Sequence, residues 1–83
     1  MEKIDEKVYN HDTERFEIIT WQKTGTEYLY ECDNNHQIHH IVDTDHGLLA
    51  RFLGDGFSQL FPNEKFGEMD EEEAMNFIHE KMY

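Results

Sequence analysis

Four consecutive acids, Asp70, Glu71, Glu72 and Glu73, form the densest group of chemically active side chains in this sequence. Such carboxylates can move protons, bind cations or present negative charge to a partner. Local helix chemistry also explains them, because Asp70 and Glu73 form an Asp-x-x-Glu capping box. Glu71 and Glu72 in the first turn favour the positive end of the helix dipole, each by about 0.3–1 kcal/mol. The run therefore predicts the start of a helix and leaves a contact role open.

Negative charge extends well beyond this run. Seven Lys and Arg against nineteen Asp and Glu give the chain a net charge of −12. A small domain needs a net charge of magnitude about 2–8 for solubility, so the surplus favours recognition of a cationic partner and disfavours direct contact with nucleic acid. Helix neighbours at i, i+3 and i+4 have Cβ atoms about 5–6 Å apart, so their carboxylates can imitate a row of phosphates.

We therefore expect a surface that binds a basic, nucleic-acid-binding protein. The predicted contact acids are Glu64, Glu68, Asp70, Glu71, Glu72, Glu73 and Asp55. Exposed aromatic side chains near them would add contact energy, because charge mainly supplies association rate and specificity. The candidates for that role are Phe66, Tyr83 and Trp21.

Histidines offer a second chemistry. Four of the six lie within HQIHHIVDTDH, and imidazole is a common zinc ligand. On a strand, however, His36 and His40 share one face and His39 lies on the other, and the sequence has no C-x-x-C or H-E-x-x-H motif. The spacing therefore predicts no cofactor, and a metal site on His36, His40 and His46 is kept as an alternative.

Catalytic motifs are absent from the sequence. It has no G-x-S-x-G and no P-loop, Ser58 is its single serine, and Cys32 has no motif around it. We expect a protein that is not an enzyme. A lone cysteine cannot form an internal disulfide, the opening MEKIDEK is charged, and no apolar run reaches the roughly 20 residues of a membrane span. These features predict a cytoplasmic protein without a membrane segment.

The elements that must position these side chains follow from hydrophobic periodicity. Residues 1–12 predict a short helix or arm. RFEIITWQ, EYLYECD and QIHHIVD are rich in β-branched and aromatic residues, so residues 15–43 predict a three-stranded antiparallel meander, with turns at 24–25 and 33–35.

From residue 44 the period changes to steps of three and four, which predicts a core helix over 44–61. Its apolar positions are Leu49, Phe52, Leu53, Phe57, Leu60 and Phe61. A last helix is predicted over 70–83. The sequence thus predicts one small α+β domain over residues 1–83, a three-stranded antiparallel sheet packed with two C-terminal helices and a short N-terminal helix.

This element order, with the D-E-E-E run opening the last helix, resembles small acidic anti-CRISPR proteins of phages, which block a CRISPR nuclease by occupying its DNA-recognition surface. The resemblance covers most of the chain as architecture and charge. It implies a phage or mobile-element inhibitor that acts in the host cytosol by DNA mimicry, with a nuclease, Cas effector, restriction or transcription protein as its partner. An acidic adaptor that docks a partner through an apolar groove, and a small His-rich metal-binding domain, are the alternatives.

Overall fold

The structure is a computed structural model that describes residues 2–32, 37–52, 57–65, 67 and 70–82. Within these residues the chain is mostly β, with six strands followed by one helix. The elements are β1 (Ile4–Asn10), β2 (Arg15–Trp21), β3 (Lys23–Cys32), β4 (Gln37–Thr44), β5 (Gly47–Phe52), β6 (Ser58–Phe61) and α1 (Glu71–Met82).

All six strands belong to one mixed sheet, in the order β2-β1-β6-β5-β4-β3. β1 and β6 pair in parallel and the other neighbours are antiparallel. β2 and β3 lie at opposite edges of the sheet although only Gln22 separates them in the chain. Because two Cα–Cα steps span at most about 7 Å, the sheet has to curl until its two edges meet at this corner. Asp45 holds the corner, since its backbone N–H donates to the Gln22 carbonyl (3.2 Å) and its Oδ1 accepts from the Gln22 N–H (3.0 Å).

The curled sheet is covered on both faces. The face inside the curl, called here the inner face, buries Val8, Ile19, Trp21, Val42, Leu49 and Leu60. The opposite, outer face buries Ile41, Leu48, Ala50 and Phe61, and α1 packs on it through Phe77, whose ring lies 5.5 Å from that of Phe61. Successive residues of a strand point to opposite faces. The adjacent apolar pairs at 41–42, 48–49 and 60–61 therefore serve both cores at once.

The prediction of a helix or arm over residues 1–12 is wrong, because Ile4–Asn10 is strand β1. Ile4 and Val8 are four residues apart, a spacing that suits a helix face and also the period of two in a strand. The structure has the second arrangement, with Val8 fully buried in the inner cluster and Ile4 packed against it. Exposed Asp5 and Lys7 alternate with them.

The core helix predicted over 44–61 is also wrong, because the segment contains β5 and β6. A two-residue turn at 45–46 reverses the chain between β4 and β5. The Thr44 hydroxyl closes this turn by donating to the Gly47 carbonyl (2.7 Å) and accepting from the His46 N–H (3.0 Å). The apolar residues looked helical because strands buried on both faces lack a clean alternation.

The predicted meander is wrong in its pairing. β2, β3 and β4 are strands, and β3 pairs with β4, but β2 pairs with β1 instead of β3. The expected hairpin turn at 24–25 lies inside β3, and the turn at 33–35 lies outside the described residues. The α+β fold with a three-stranded sheet and two C-terminal helices is thus replaced by a six-stranded mixed sheet with one helix over the described residues.

Helix α1 begins at Glu71, directly after Asp70. The Asp70 Oδ1 accepts a hydrogen bond from the Glu73 N–H at 2.9 Å, which is the contact of an N-cap. Asp70, the first acid of the run, therefore stabilises the start of the helix.

Candidate functional site

The solvent side of α1 carries three acids that have no cationic partner among the described residues. Glu72, Glu73 and Glu80 are exposed, and Asn76 between them is exposed as well. Across the described part of the chain, none of the three carboxylates forms an ion pair. Glu72 and Glu80 are two turns apart on the same side of the helix, about 12 Å along its axis. These three residues are called the acidic helix face below.

The other predicted contact acids have different positions. Glu64 is exposed after β6, where its carbonyl accepts from the Leu48 N–H (3.0 Å) and anchors this segment to β5. Asp70 is exposed, but one of its carboxylate oxygens serves the helix cap. Glu71 is the first residue of α1. Glu68 and Asp55 lie outside the described residues, as do Phe66 and Tyr83.

Glu80 was missed by the sequence prediction, which followed only the dense run of acids. Its signal is the helical spacing, because residues 72, 76 and 80 recur every four positions and share one side of a helix. Once the helix is known to start at Asp70, this spacing predicts that Glu80 lies on the same side as Glu72.

Trp21 is not an exposed contact residue, so that prediction is wrong. Its side chain is 3% exposed and belongs to the inner cluster. The period of two in RFEIITW decides this, because Ile19 and Trp21 share the inner face while Phe16 and Ile18 point outward. Phe16 is 52% exposed and Ile18 is 80% exposed.

A cluster of exposed apolar side chains thus lies where none was predicted. Phe16, Ile18 and Phe57, called the outer apolar patch here, lie on or beside the edge strand β2. The rings of Phe16 and Phe57 are 5.1 Å apart, and the Lys7 Nζ lies 5.2 Å from the Phe16 ring. Tyr9 extends the patch, with its ring 5.2 Å from that of Phe16.

Ring contacts join this patch to α1. The Tyr9 ring packs edge-on to His11 at 5.1 Å, and His11 stacks on Phe61 at 4.3 Å. Phe61 in turn contacts Phe77 of the helix. The outer apolar patch and α1 are therefore parts of one continuous outer face.

The inner face carries a row of polar side chains whose charges compensate one another. Arg51 Nε donates to both carboxylate oxygens of Glu6 (2.9 and 3.3 Å), and Arg51 Nη1 lies 3.2 Å from His40 Nδ1. Arginine is always protonated, so His40 Nδ1 has to accept and His40 Nε2 carries the proton. That Nε2–H donates to Glu27 (2.8 Å), which also accepts from Lys23 (3.0 Å). These two hydrogen bonds, with His40 the larger cause, lower the pKa of Glu27.

Two of the three candidate metal ligands, His40 and His46, have separate hydrogen-bond partners. His40 belongs to the inner row, while His46 Nε2 lies 3.0 Å from the Thr20 carbonyl at the corner of the sheet. His36 lies outside the described residues. No group of three or more His, Cys, Asp or Glu side chains that could hold a metal ion occurs in the part of the chain that the structure describes.

Comparisons with known proteins give no information about function. No match was found among protein-family models, curated proteins or solved structures. Across residues 2–32, 37–52, 57–65, 67 and 70–82, no helix is both long and apolar enough to cross a membrane. Function therefore has to follow from the surface chemistry of the chain itself.

Proposed function

We propose that this protein is a non-enzymatic acidic binding protein that occupies the cationic, nucleic-acid-binding surface of another protein. One contrast between its acids supports this. Glu6 and Glu27 on the inner face pair with Arg51 and Lys23, whereas the acidic helix face has no cation within ion-pair distance among the described residues. Charge that serves folding is compensated locally, and the charge on the helix is left for a partner.

The helix is suited to this use because it holds its carboxylates at fixed spacing. Glu72 and Glu80 lie about 12 Å apart along the helix axis, and a cationic groove built for phosphates can accept carboxylates held at such fixed positions. The net charge of −12 attracts a basic protein from a distance and accelerates association. The partner's nucleic acid is then excluded because both ligands need the same cations.

Apolar contact would supply the remaining affinity. Phe16 and Phe57 are about half exposed, at 52% and 49%, on the same outer face as α1. Aromatic side chains in the centre of an interface commonly dominate its binding energy. In this proposal they take the role that the sequence prediction gave to Trp21.

The biological class that uses this chemistry is an inhibitor encoded by a phage or mobile element. It acts in the host cytosol against a CRISPR nuclease, a restriction enzyme or a transcription protein. Blocking such a protein requires no catalysis, only an anionic surface that outcompetes nucleic acid.

Affinity capture from nuclease-treated host lysate tests the proposal. Proteins that bind nucleic acid should be captured at low salt and released by about 0.5 M NaCl, where the Debye length falls to about 4 Å. A variant with Glu72→Gln, Glu73→Gln and Glu80→Gln should capture at least about tenfold less, a loss of about 1.4 kcal/mol in binding.

The matched control is a variant with Glu2→Gln, Asp12→Asn and Glu14→Gln, exposed acids before and after β1. It changes the net charge by the same amount and should capture normally. Equal capture by both variants would show that the acids on α1 have no specific role in binding and serve only solubility. A salt-released fraction without nucleic-acid-binding proteins would overturn the proposal.

The outer apolar patch supports a second candidate, an adaptor that docks a partner by apolar contact. The observation that favours it is the 80% exposure of Ile18 on β2, a strand that has a neighbour on one side only among the described residues. In that case Phe16→Ser with Ile18→Thr abolishes capture, the Gln changes on α1 have no effect, and salt releases nothing.

A further inference from the structure

A cleft of about 300 Å³ opens on the inner face, beside the row of polar side chains. Its volume is at the lower end of small-molecule pockets, which enclose about 300–1,000 Å³, so only a small ligand fits. The side chains that matter for its chemistry are Glu2, Trp21, Lys23, Glu27, His40 and Arg51.

Trp21 brings an unsatisfied donor to this cleft. Its side chain is 3% exposed, and its Nε1–H is buried without a hydrogen-bond partner among the residues that the structure describes. Burying a donor unpaired costs about 1–3 kcal/mol, so natural proteins pair such groups with protein, water or ligand. The indole that carries this N–H is part of the cleft wall. Because the Nε1 atom has almost no accessible surface, an acceptor in the cleft reaches it when the side chains around it move on binding.

Arg51 adds further donors to the same wall. Its guanidinium lies 5.2 Å from the centre of the Trp21 ring. Nε is bound to Glu6 and Nη1 to His40, whereas Nη2 makes no hydrogen bond to any described residue. Because two neighbours hold the guanidinium in place, its free N–H groups are already oriented before a ligand arrives. Donors of this kind form their strongest hydrogen bonds with a carboxylate.

A simple anion does not suit the rest of the cleft. The chain has a net charge of −12, and Glu2 and Glu27 lie in the wall together with the cations. Glu27 is already bound by Lys23 and His40, while Glu2 forms no ion pair with any residue that the structure describes. A ligand that pairs its carboxylate with a cation avoids the repulsion and supplies a partner for Glu2.

We propose that the cleft binds a small zwitterion of the free amino acid class. Its α-carboxylate accepts a hydrogen bond from Arg51 Nη2 and, once the surrounding side chains have moved, from Trp21 Nε1, and its ammonium group lies toward Glu2. This site is on the inner face, apart from the acidic helix face, so it holds or fails independently of the proposed docking function.

Trp21 is the only tryptophan in the sequence, so a ¹H–¹⁵N spectrum contains a single indole N–H peak. The full chain is titrated with each standard L-amino acid, and with acetate and ethylammonium as half-ligands. At least one amino acid should shift the indole peak in a saturable way, at concentrations where neither half-ligand does. Failure of every amino acid to move the peak, or an equal response to acetate, would overturn the proposal.

The two charged contacts of the site are tested by one variant each, at Arg51 and at Glu2. Arg51→Met should weaken the saturable binding at least about tenfold, and Arg15→Met, at an exposed arginine outside the cleft, should leave it unchanged. Glu2→Gln lies at an exposed position before β1 and should weaken binding about threefold without affecting the fold. Unchanged binding in the Glu2 variant contradicts the ammonium contact even if the Arg51 variant does not fold.

Discussion

Gly47 and Pro62 approach each other so closely that a Cβ atom added to Gly47 would lie 2.6 Å from the Pro62 Cα. The same Cβ would lie 2.7 Å from the Phe61 carbonyl oxygen, and Gly47 has a φ of 122°. Residues other than glycine rarely adopt this backbone conformation. Glycine is therefore required at the start of β5, because a Cβ atom there would overlap the backbone at the end of β6.

We expect Gly47→Ala to lower the free energy of unfolding by about 3 kcal/mol or more, because backbone strain and overpacking each cost about 1–3 kcal/mol. Urea unfolding followed by Trp21 fluorescence measures the loss. Gly67→Ala is the control, since Gly67 has a φ of 55° and no atom within 4 Å of the added Cβ. It should cost about 1–2 kcal/mol from backbone conformation alone. Equal losses in the two variants would show that the contact with Pro62 is unimportant.

The cap of α1 can be separated from its charge at Asp70. Asp70→Ala removes the acceptor of the Glu73 N–H and should cost about 1 kcal/mol of stability. Asp70→Asn removes the negative charge but keeps an acceptor, so we expect a loss of less than about 0.5 kcal/mol. Thermal unfolding monitored by circular dichroism compares the two. A loss in the Asn variant as large as in the Ala variant would assign the effect to the helix dipole.

Acids with and without partners should differ in their effect on stability. Glu6→Gln breaks the ion pair with Arg51, whose side chain is only 21% exposed, and should cost about 1–3 kcal/mol. Glu72→Gln removes the same charge from an exposed position without an ion pair to any described residue, so it should cost only the helix-dipole contribution of about 0.3–1 kcal/mol. Chemical denaturation of both variants at one ionic strength gives the comparison. Equal destabilisation would contradict the distinction between the inner row and the acidic helix face.

Glu27 should contribute to acid sensitivity. Hydrogen bonds from His40 and then Lys23 lower its pKa from the ordinary value of 4.5. Because the folded pKa is below the unfolded one, this contribution is complete above 4.5 and is lost as the pH falls through the folded pKa.

Carbon-detected NMR titration of the Glu27 carboxyl group checks this linkage. His40→Ala should raise its pKa toward 4.5, because the largest cause of the shift is removed. His46→Ala is the control, since His46 contacts the Thr20 carbonyl instead, and it should leave the titration unchanged. If the pKa of Glu27 is the same in the His40→Ala variant, the hydrogen bond from His40 is not the main cause of the shift.

The sequence alone determined those features that depend on composition or on residues close in the chain. The net charge of −12 is a sum over side chains. The helix start at Asp70 depends on an acceptor three residues before its donor, which is a contact within one helical turn. The strand character of β2, β3 and β4 was likewise visible, because β-branched and aromatic residues follow one another there.

Tertiary structure decided the rest, because it depends on pairing between distant strands. Ile4 and Val8 fit a helix face and a strand equally well, and only the pairing of β1 with both β2 and β6 selects the strand. The inward position of Trp21 depends on register, and the contact of Arg51 with Glu6 spans 45 positions. Local periodicity cannot carry such information, since residues in a sheet are stabilised by neighbours that lie far away in the chain.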